Sequence, residues 1–342
     1  MSEREPTLAS SSALPPHHAP NGTFRNPWGL AESRFQGLMK WRWNRLRHPL
    51  PRDDGARSLQ PVASAVRSPR AAPNELAVTW VGHSTLLVQL GSLNILTDPI
   101  WSERASPWRS FGPRRLVPAA LPIAALPPID LVLLSHNHYD HLDAWTVRAL
   151  AGAHPGARWI LPLRLEKAVR SLGVRHITEL DWWNEQTVGD ATVACTPARH
   201  FSARTPFDRN RTLWCGFAIR TSAGRFYYAG DTGLHPEFAR IGERFGPFVL
   251  SAIPIGAYEP RWFMQPVHLN PDDAVTAYRA LHAYHGRLSS SVMVGIHWGT
   301  FRLTDEPVLE PRERTRAAWA SAGLLPANLW IPAHGETKAM RR

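Results

Sequence analysis

The sequence predicts an α/β protein in which sheets are covered by helices, and three observations predict it. Short apolar runs bounded by turn residues recur from residue 73 onward, as strands buried on both faces do. Helical stretches lie between several of these runs. One of them, "NPDDAVTAYRALHAY", has a clear start: Asn270 can cap, Pro271 suits the first turn, and two aspartates complement the helix dipole. At 342 residues the chain can bury a large core, either as one domain with an extension or as two domains.

Residues 1–21 carry acidic groups near their start and no apolar segment of about 7–15 residues, so they read as a disordered tail and not as a secretory signal. Residues 22–72 read as a basic extension. In it Phe35, Leu38, Met39 and Leu46 fall at roughly helical spacing, interleaved with Lys40, Trp41, Arg42, Trp43, Arg45 and Arg47. Such a helix, near residues 35–47, suits peripheral contact with an anionic membrane; packing on its own domain or on a second subunit, as in a homodimer, suits it equally. The stretch 51–72, rich in Pro, Arg, Ser and Ala, reads as a linker. Residues 1–72 hold 11 Lys/Arg against 5 Asp/Glu, so most of the formal charge of +11 belongs to the extension. No stretch approaches the roughly 18 uninterrupted apolar residues of a membrane span. Cys195 and Cys215 both lie in apolar strand-like runs, where a free thiol behaves as a small hydrophobe, and this favours a reducing, cytoplasmic setting.

Residues 73–342 read as the folded domain. "LAVTWVGHSTLLVQL" and "LNILTDPI" look like paired strands joined through Gly91 and Ser92. "LPPIDLVLLS" is a buried strand, and "DAWTVRALAGA" opens a helix behind it. Further strands are expected at "ARWILPL", "ATVACTP", "LWCGFAIRT", "RFYYAGD", "FVLSAIPIG" and "SVMVGIH".

The buried strand "IDLVLLS" breaks into "HNHYDHLD", which places His136, His138, Asp140 and His141 within six residues. Three other polar residues terminate apolar strands: His200 after "VACTPAR", Asp231 after "FYYAG" and His297 after "VMVGI". If these strands lie side by side, four loops converge on one site. Neutral imidazole and carboxylate suit zinc and similar divalent ions. Seven ligands exceed what one tetrahedral ion can use, whereas two ions about 3.5–4 Å apart with a bridging carboxylate would use them all.

The strings "SHNHYDHLD", "TPARH", "AGDTG" and "IHWGTF", in that order, resemble the metallo-β-lactamase superfamily. Within it the chain is similar to the phospholipases D that hydrolyse N-acyl-phosphatidylethanolamine, on "TDPI", "RASP", "LPPID", "ELDWW", "RFGPF", "AIPIGAYEPRWFM", "PAHGE" and "NPW". The resemblance covers roughly residues 22–338 and implies a four-layer αβ/βα sandwich with two zinc ions. It assigns His136, His138 and His200 to one zinc, Asp140, His141 and His297 to the other, and Asp231 to the bridge. His268, in "PVHLNPDD", is placed near the substrate as proton donor or phosphate contact.

On this reading a metal-activated hydroxide attacks a phosphodiester, releasing N-acylethanolamine and leaving phosphatidic acid. Asp140 and Asp231 are ligands first and orient the nucleophile second. Tryptophan is the commonest aromatic, 15 against 12 Phe and 6 Tyr, which fits a lipid substrate. The segment "YEPRWFM" is expected to bring Tyr258, Arg261, Trp262, Phe263 and Met264 to it, with Arg261 facing phosphate. The alternatives are a lactonase or a soluble phosphodiesterase with the same ligands but no apolar groove, a nuclease, or a non-enzymatic membrane-surface protein. No nucleic-acid module is recognisable, so no nucleic-acid partner is expected.

Overall fold

The computed structural model describes residues 14–29, 34–50, 54–286 and 288–341. One seven-stranded sheet contains β1 (Glu75–Gly82), β2 (Thr85–Leu90), β3 (Leu93–Thr97), β4 (Leu131–Leu133), β5 (Arg158–Pro162) and β6 (His176–Leu180) in sequence order, with the last strand, β14 (Thr337–Arg341), added antiparallel to β1. The other sheet, also of seven strands, contains β7 (Glu185–Val188), β8 (Ala191–Thr196), β9 (Gly216–Thr221), β10 (Gly224–Tyr228), β11 (Leu250–Pro254), β12 (Val292–Ile296) and β13 (Leu329–Trp330).

Alternation along the strands explains why the sheets stack. In β2, β3 and β4 the residues Leu86, Val88, Ile95, Leu131 and Leu133 face the core shared by both sheets. Leu87, Leu96 and Val132 point the other way, into a second core. That outer core is completed by Val147 and Leu150 of α2 (Ala144–Ala153) and Val169 of α3 (Glu166–Arg170). On the far face of the other sheet lie α4 (Glu237–Phe245), α6 (Pro271–Ala283) and α7 (Glu310–Ser321), with the short α5 (Arg261–Met264) between β11 and α6. Strands apolar on both faces need cover on both, and the outcome is the four-layer αβ/βα sandwich.

Local signals place the helices. Asp143 caps α2, accepting from the Trp145 amide, and Asn270 caps α6, accepting from the Asp273 amide at 2.8 Å in a reciprocal capping box with Pro271 in the first turn. The expected first strand is two strands, β1 and β2, separated by a turn at His83 and Ser84. Four strands had no clear sequence signal. β6, β7 and β14 are partly exposed, so their apolar alternation is broken, and β13 is only two residues long.

The N-terminal segments are held to the domain. Residues 14–21, expected to belong to a loose tail, form a turn with the buried His17 stacked on Trp182 at 4.3 Å; residues 1–13 lie outside those described. Phe24 enters the main core. The stretch read as a linker is pinned where it passes β2, with the Arg67 amide donating to Gln89 and the Gln89 side chain donating back to the Arg67 carbonyl. The basic helix α1 (Arg34–Arg47) packs on its own domain: Trp41 Nε1 donates to Asp305 at 2.7 Å, and Arg45 pairs with the same carboxylate at 3.1 Å. The approach is so close that a Cβ on Gly37 would lie 2.8 Å from the Phe263 ring, which explains a glycine inside a helix. Of the apolar residues at helical spacing, Leu46 is 77% exposed, and the Phe35 side chain lies outside the described residues.

Candidate metal centre

Both sheets end at the same edge, and the expected ligands meet there. His136, His138, Asp140 and His141 follow β4; His200 follows β8, Asp231 follows β10 and His297 follows β12. Their ligand atoms fall into two groups. His136 Nε2 lies 2.8 Å from His138 Nδ1, which lies 3.2 Å from His200 Nε2. In the second group Asp140 Oδ2 is 3.4 Å from both His141 Nε2 and His297 Nε2. Asp231 Oδ2 stands between the groups, 3.2 Å from His141 Nε2, 3.1 Å from His297 Nε2 and 3.8 Å from His200 Nε2. Ligands around a tetrahedral zinc, with bonds of about 2.0–2.1 Å, are separated by about 3.3–3.4 Å.

The far sides of the imidazoles are fixed by the fold. His141 Nδ1 contacts Asp98 at 2.6 Å, His200 Nδ1 contacts the Val267 carbonyl at 3.0 Å, and His136 Nδ1 contacts Ser135 Oγ at 2.9 Å. For His141 and His200 the Nδ1 proton is thereby assigned, and Nε2 is left as the lone-pair nitrogen that a metal needs. His141 Nε2, His297 Nε2 and Asp231 Oδ1 are buried without a hydrogen-bond partner among the described residues. Buried polar atoms left this way call for a ligand.

Electrostatics point the same way. Burial, joined by neighbouring histidines, holds His136 and His200 well below the ordinary histidine pKa, so both are neutral. For Asp140 and Asp231 burial favours the neutral acid, but His141 and the other nearby histidines outweigh it and keep both carboxyls ionised. Burial also opposes charge on His297, yet Asp231 and Asp140 push its pKa up to about 9, and the same carboxylates raise His141 well above the usual range. Two buried carboxylates therefore demand positive charge here. A bound metal cation would supply it in place of the imidazole protons.

Two further residues complete the centre, and both went unassigned in the sequence reading. His83, in the turn after β1, places Nε2 2.9 Å from Asp140 Oδ2. Asp98, directly after β3, accepts from the Ser135 amide and hydroxyl, from Tyr228 and from His141. Each follows an apolar strand, as do His200, Asp231 and His297, so the same signal would have found them. His83, Asp98 and His297 all have positive φ (54°, 28° and 61°). Three non-glycines in that region mark strained backbone concentrated at the site.

Above the centre opens a cleft of about 1100 Å³. Its floor includes His138, Asp140, Asp231 and His297. Its walls include Leu38, Met39 and Trp41 of α1, Phe201, Phe263, Met264 and Leu303, and Arg25, Arg42 and Arg209 also line it. His268 lies in the wall, its ring 5.1 Å from that of His200 and 5.4 Å from that of His297. The segment expected to meet substrate divides. Phe263 and Met264 line the cleft, whereas the Tyr258 hydroxyl turns to Glu310 at 2.7 Å. Arg261 is bound to Asp273 at 2.6 Å and to the His268 carbonyl at 3.0 Å, because the helical turn α5 directs it back toward the N-terminus of α6. Trp262 sits outside beneath Lys40.

A β-lactamase superfamily domain model matches residues 93–298, which span the candidate ligands from His136 to His297. The chain belongs to the metallo-β-lactamase superfamily. Within the superfamily it is 40% identical over 273 residues to the N-acyl-phosphatidylethanolamine-hydrolyzing phospholipase D 1 of Caenorhabditis elegans, covering 76% of this chain and 74% of that protein. It is 34% identical to the mitochondrial N-acyl-phosphatidylethanolamine-hydrolyzing phospholipase D of Saccharomyces cerevisiae, covering 74% of this chain and 54% of that one. The superfamily fold recurs in the solved isothiocyanate hydrolase from Delia radicum gut bacteria, with a TM-score of 0.59 at 23% identity over 78% of this chain and 99% of the other. The site and its superfamily make the chain a metal-dependent hydrolase. No helix among the described residues is long and apolar enough to cross a membrane.

Proposed function

We propose that the enzyme is a two-zinc phosphodiesterase of the phospholipase D type, hydrolysing N-acyl-phosphatidylethanolamine-like phospholipids to N-acylethanolamine and phosphatidic acid. The observation that carries this reading is the apolar cleft directly over the metal ligands. Leu38, Met39, Phe263 and Met264 suit acyl chains, and Arg25, Arg42 and Arg209 lie along the same cleft with no carboxylate partner among the described residues, which suits a phosphate anion. Similarity to two proteins named for this hydrolysis supports it.

His136, His138 and His200 would hold one zinc, Asp140, His141 and His297 the other, and Asp231 would lie between them. Bound zinc would supply Lewis acidity, activating water near neutral pH and offsetting phosphoryl charge. Asp140 and Asp231 keep their negative charge and orient the attacking water. As its oxygen bonds to phosphorus, the bond from phosphorus to the ethanolamine oxygen breaks; the water gives up a proton to solvent, and a protonated His268 would give one to the departing oxygen. Phosphate remains on the diacylglycerol side.

Mass-spectrometric products from a phospholipid mixture test the reading. Released N-acylethanolamine with phosphatidic acid is the expected pair. Diacylglycerol with a phosphorylated head group, or turnover of lactones but no diester, would reject it.

A further inference from the structure

We propose a third metal site, distant in sequence from the catalytic ligands, in which His17, His18 and Asp181 hold a structural divalent ion of the zinc class. His17 Nε2 lies 2.6 Å from Asp181 Oδ1 and His18 Nε2 lies 2.8 Å from Asp181 Oδ2, and one ligand atom from each residue falls within 4.8 Å of the other two. Two imidazoles and a carboxylate form a common zinc donor set, with water completing the tetrahedron.

Adjacent residues in an extended chain point to opposite faces. Here both histidines reach one carboxylate because "LPPHHAPNG" is bent: the His18 amide donates to the Pro15 carbonyl, the Gly22 amide donates to Ala19, and His18 bridges to Phe24. The aromatic walls are rigid, with His17 stacked on Trp182 at 4.3 Å and His18 edge-on to Phe24 at 5.1 Å. The Asp181 carboxylate is fixed in place by the Trp182 amide, which donates to Oδ1 at 2.8 Å. Among the described residues no lysine or arginine pairs with it. A divalent ion would supply positive charge to that carboxylate.

The ion would act as a clip. The segment it fastens runs on to Trp28, which stacks on His235 at 4.7 Å, and to Asn26, whose side chain donates to the His200 carbonyl at 2.7 Å. Fastening residues 17 and 18 thus steadies a support of the catalytic ligand His200 without touching the chemistry.

Two measurements decide it. Wild-type protein and the variants His18→Ala and Asp181→Asn, loaded with zinc and desalted, are compared for metal content. Each variant should hold one equivalent fewer than wild type, whatever the catalytic centre retains, and should melt lower by on the order of 5 °C in zinc, with the gap closing in chelator. Anomalous diffraction at the zinc edge from wild-type crystals should show a peak between the three side chains. Equal metal content in all three proteins, or peaks at the catalytic centre only, would establish a purely hydrogen-bonded clip and overturn the proposal. Because the readout is a difference in metal content, it stands or falls separately from the phosphodiesterase reading.

Discussion

The Asp98 carboxylate accepts from His141 Nδ1 at 2.6 Å while both residues are wholly buried, so a residue after β3 sets the orientation of a candidate ligand after β4. Among the described residues the other partners of the Asp98 carboxylate are Ser135 and Tyr228. Replacing it with asparagine removes the charge that makes His141 a better donor. Asp98→Asn should weaken metal binding about 10–100-fold, as loss of such supporting contacts typically does. Competition against a graded series of chelators measures this, and unchanged affinity would show that Asp98 serves the fold alone.

Asp231 is within 3.8 Å of three imidazole nitrogens from both ligand groups. Asp231→Asn should lower kcat by about 10²–10³, the usual cost of losing one electrostatic contact made in the transition state. Its circular dichroism should remain native. A variant with two bound metals and normal turnover would remove Asp231 from the bridge.

The two faces of α1 should separate by mutation. Trp41 anchors the helix through Asp305 and lines the cleft, whereas Trp43 and Leu46 are 56% and 77% exposed. Trp41→Ala should lower thermal stability and impair hydrolysis of soluble and vesicle substrates alike. Trp43→Ser with Leu46→Ser should leave stability and soluble-diester hydrolysis unchanged and weaken sedimentation with anionic vesicles. Unaltered vesicle binding by the double variant would place any lipid contact elsewhere.

Acid sensitivity is expected from buried histidines outside the proposed ligand set. Burial, with help from Arg199, lowers the pKa of His235 to about 3, and burial with Arg115 does the same for His334. Unfolded histidine binds its proton near pH 6.5, so between pH 6.5 and 3 the unfolded state holds protons that the folded state does not. Stability is therefore full above about pH 6.5 and falls as pH drops, by up to about 1.4 kcal/mol per pH unit for each group. His235 has both ring nitrogens unmatched among the described residues and Phe238 stacked on it, so phenylalanine is the apolar ring to put in its place. Urea melts at pH 7 and pH 5 should show a smaller loss for His235→Phe than for the wild type.

Much of the centre was legible because buried strands must end somewhere, and a polar residue directly after an apolar run marks that end. His200, Asp231 and His297 were found this way, and His83 and Asp98 carry the same mark. His83 was hidden because "LAVTWVGHSTLLVQL" looks like one unbroken strand, and only the left-handed turn at His83 divides it. Arg261 was misplaced for a different reason. Sequence sets the chemistry of a side chain but not its partner, and Asp273 at the start of α6 claims that guanidinium. The roles of α1 could not be separated beforehand, since tryptophan and arginine suit a lipid surface and a domain surface equally; the Asp305 carboxylate that receives Trp41 and Arg45 lies more than 250 residues away.

Chemistry and admission are encoded in different stretches of this chain. The candidate ligands from His136 to His297 lie within residues 93–298, whereas Leu38, Met39 and Trp41, which form one wall over them, come from a helix that precedes that span. A substitution in that helix can change which molecules reach the hydrolytic floor while every ligand keeps its place. Exchanging Arg34–Arg47 between relatives is thus a direct route to altered selectivity at constant catalytic machinery.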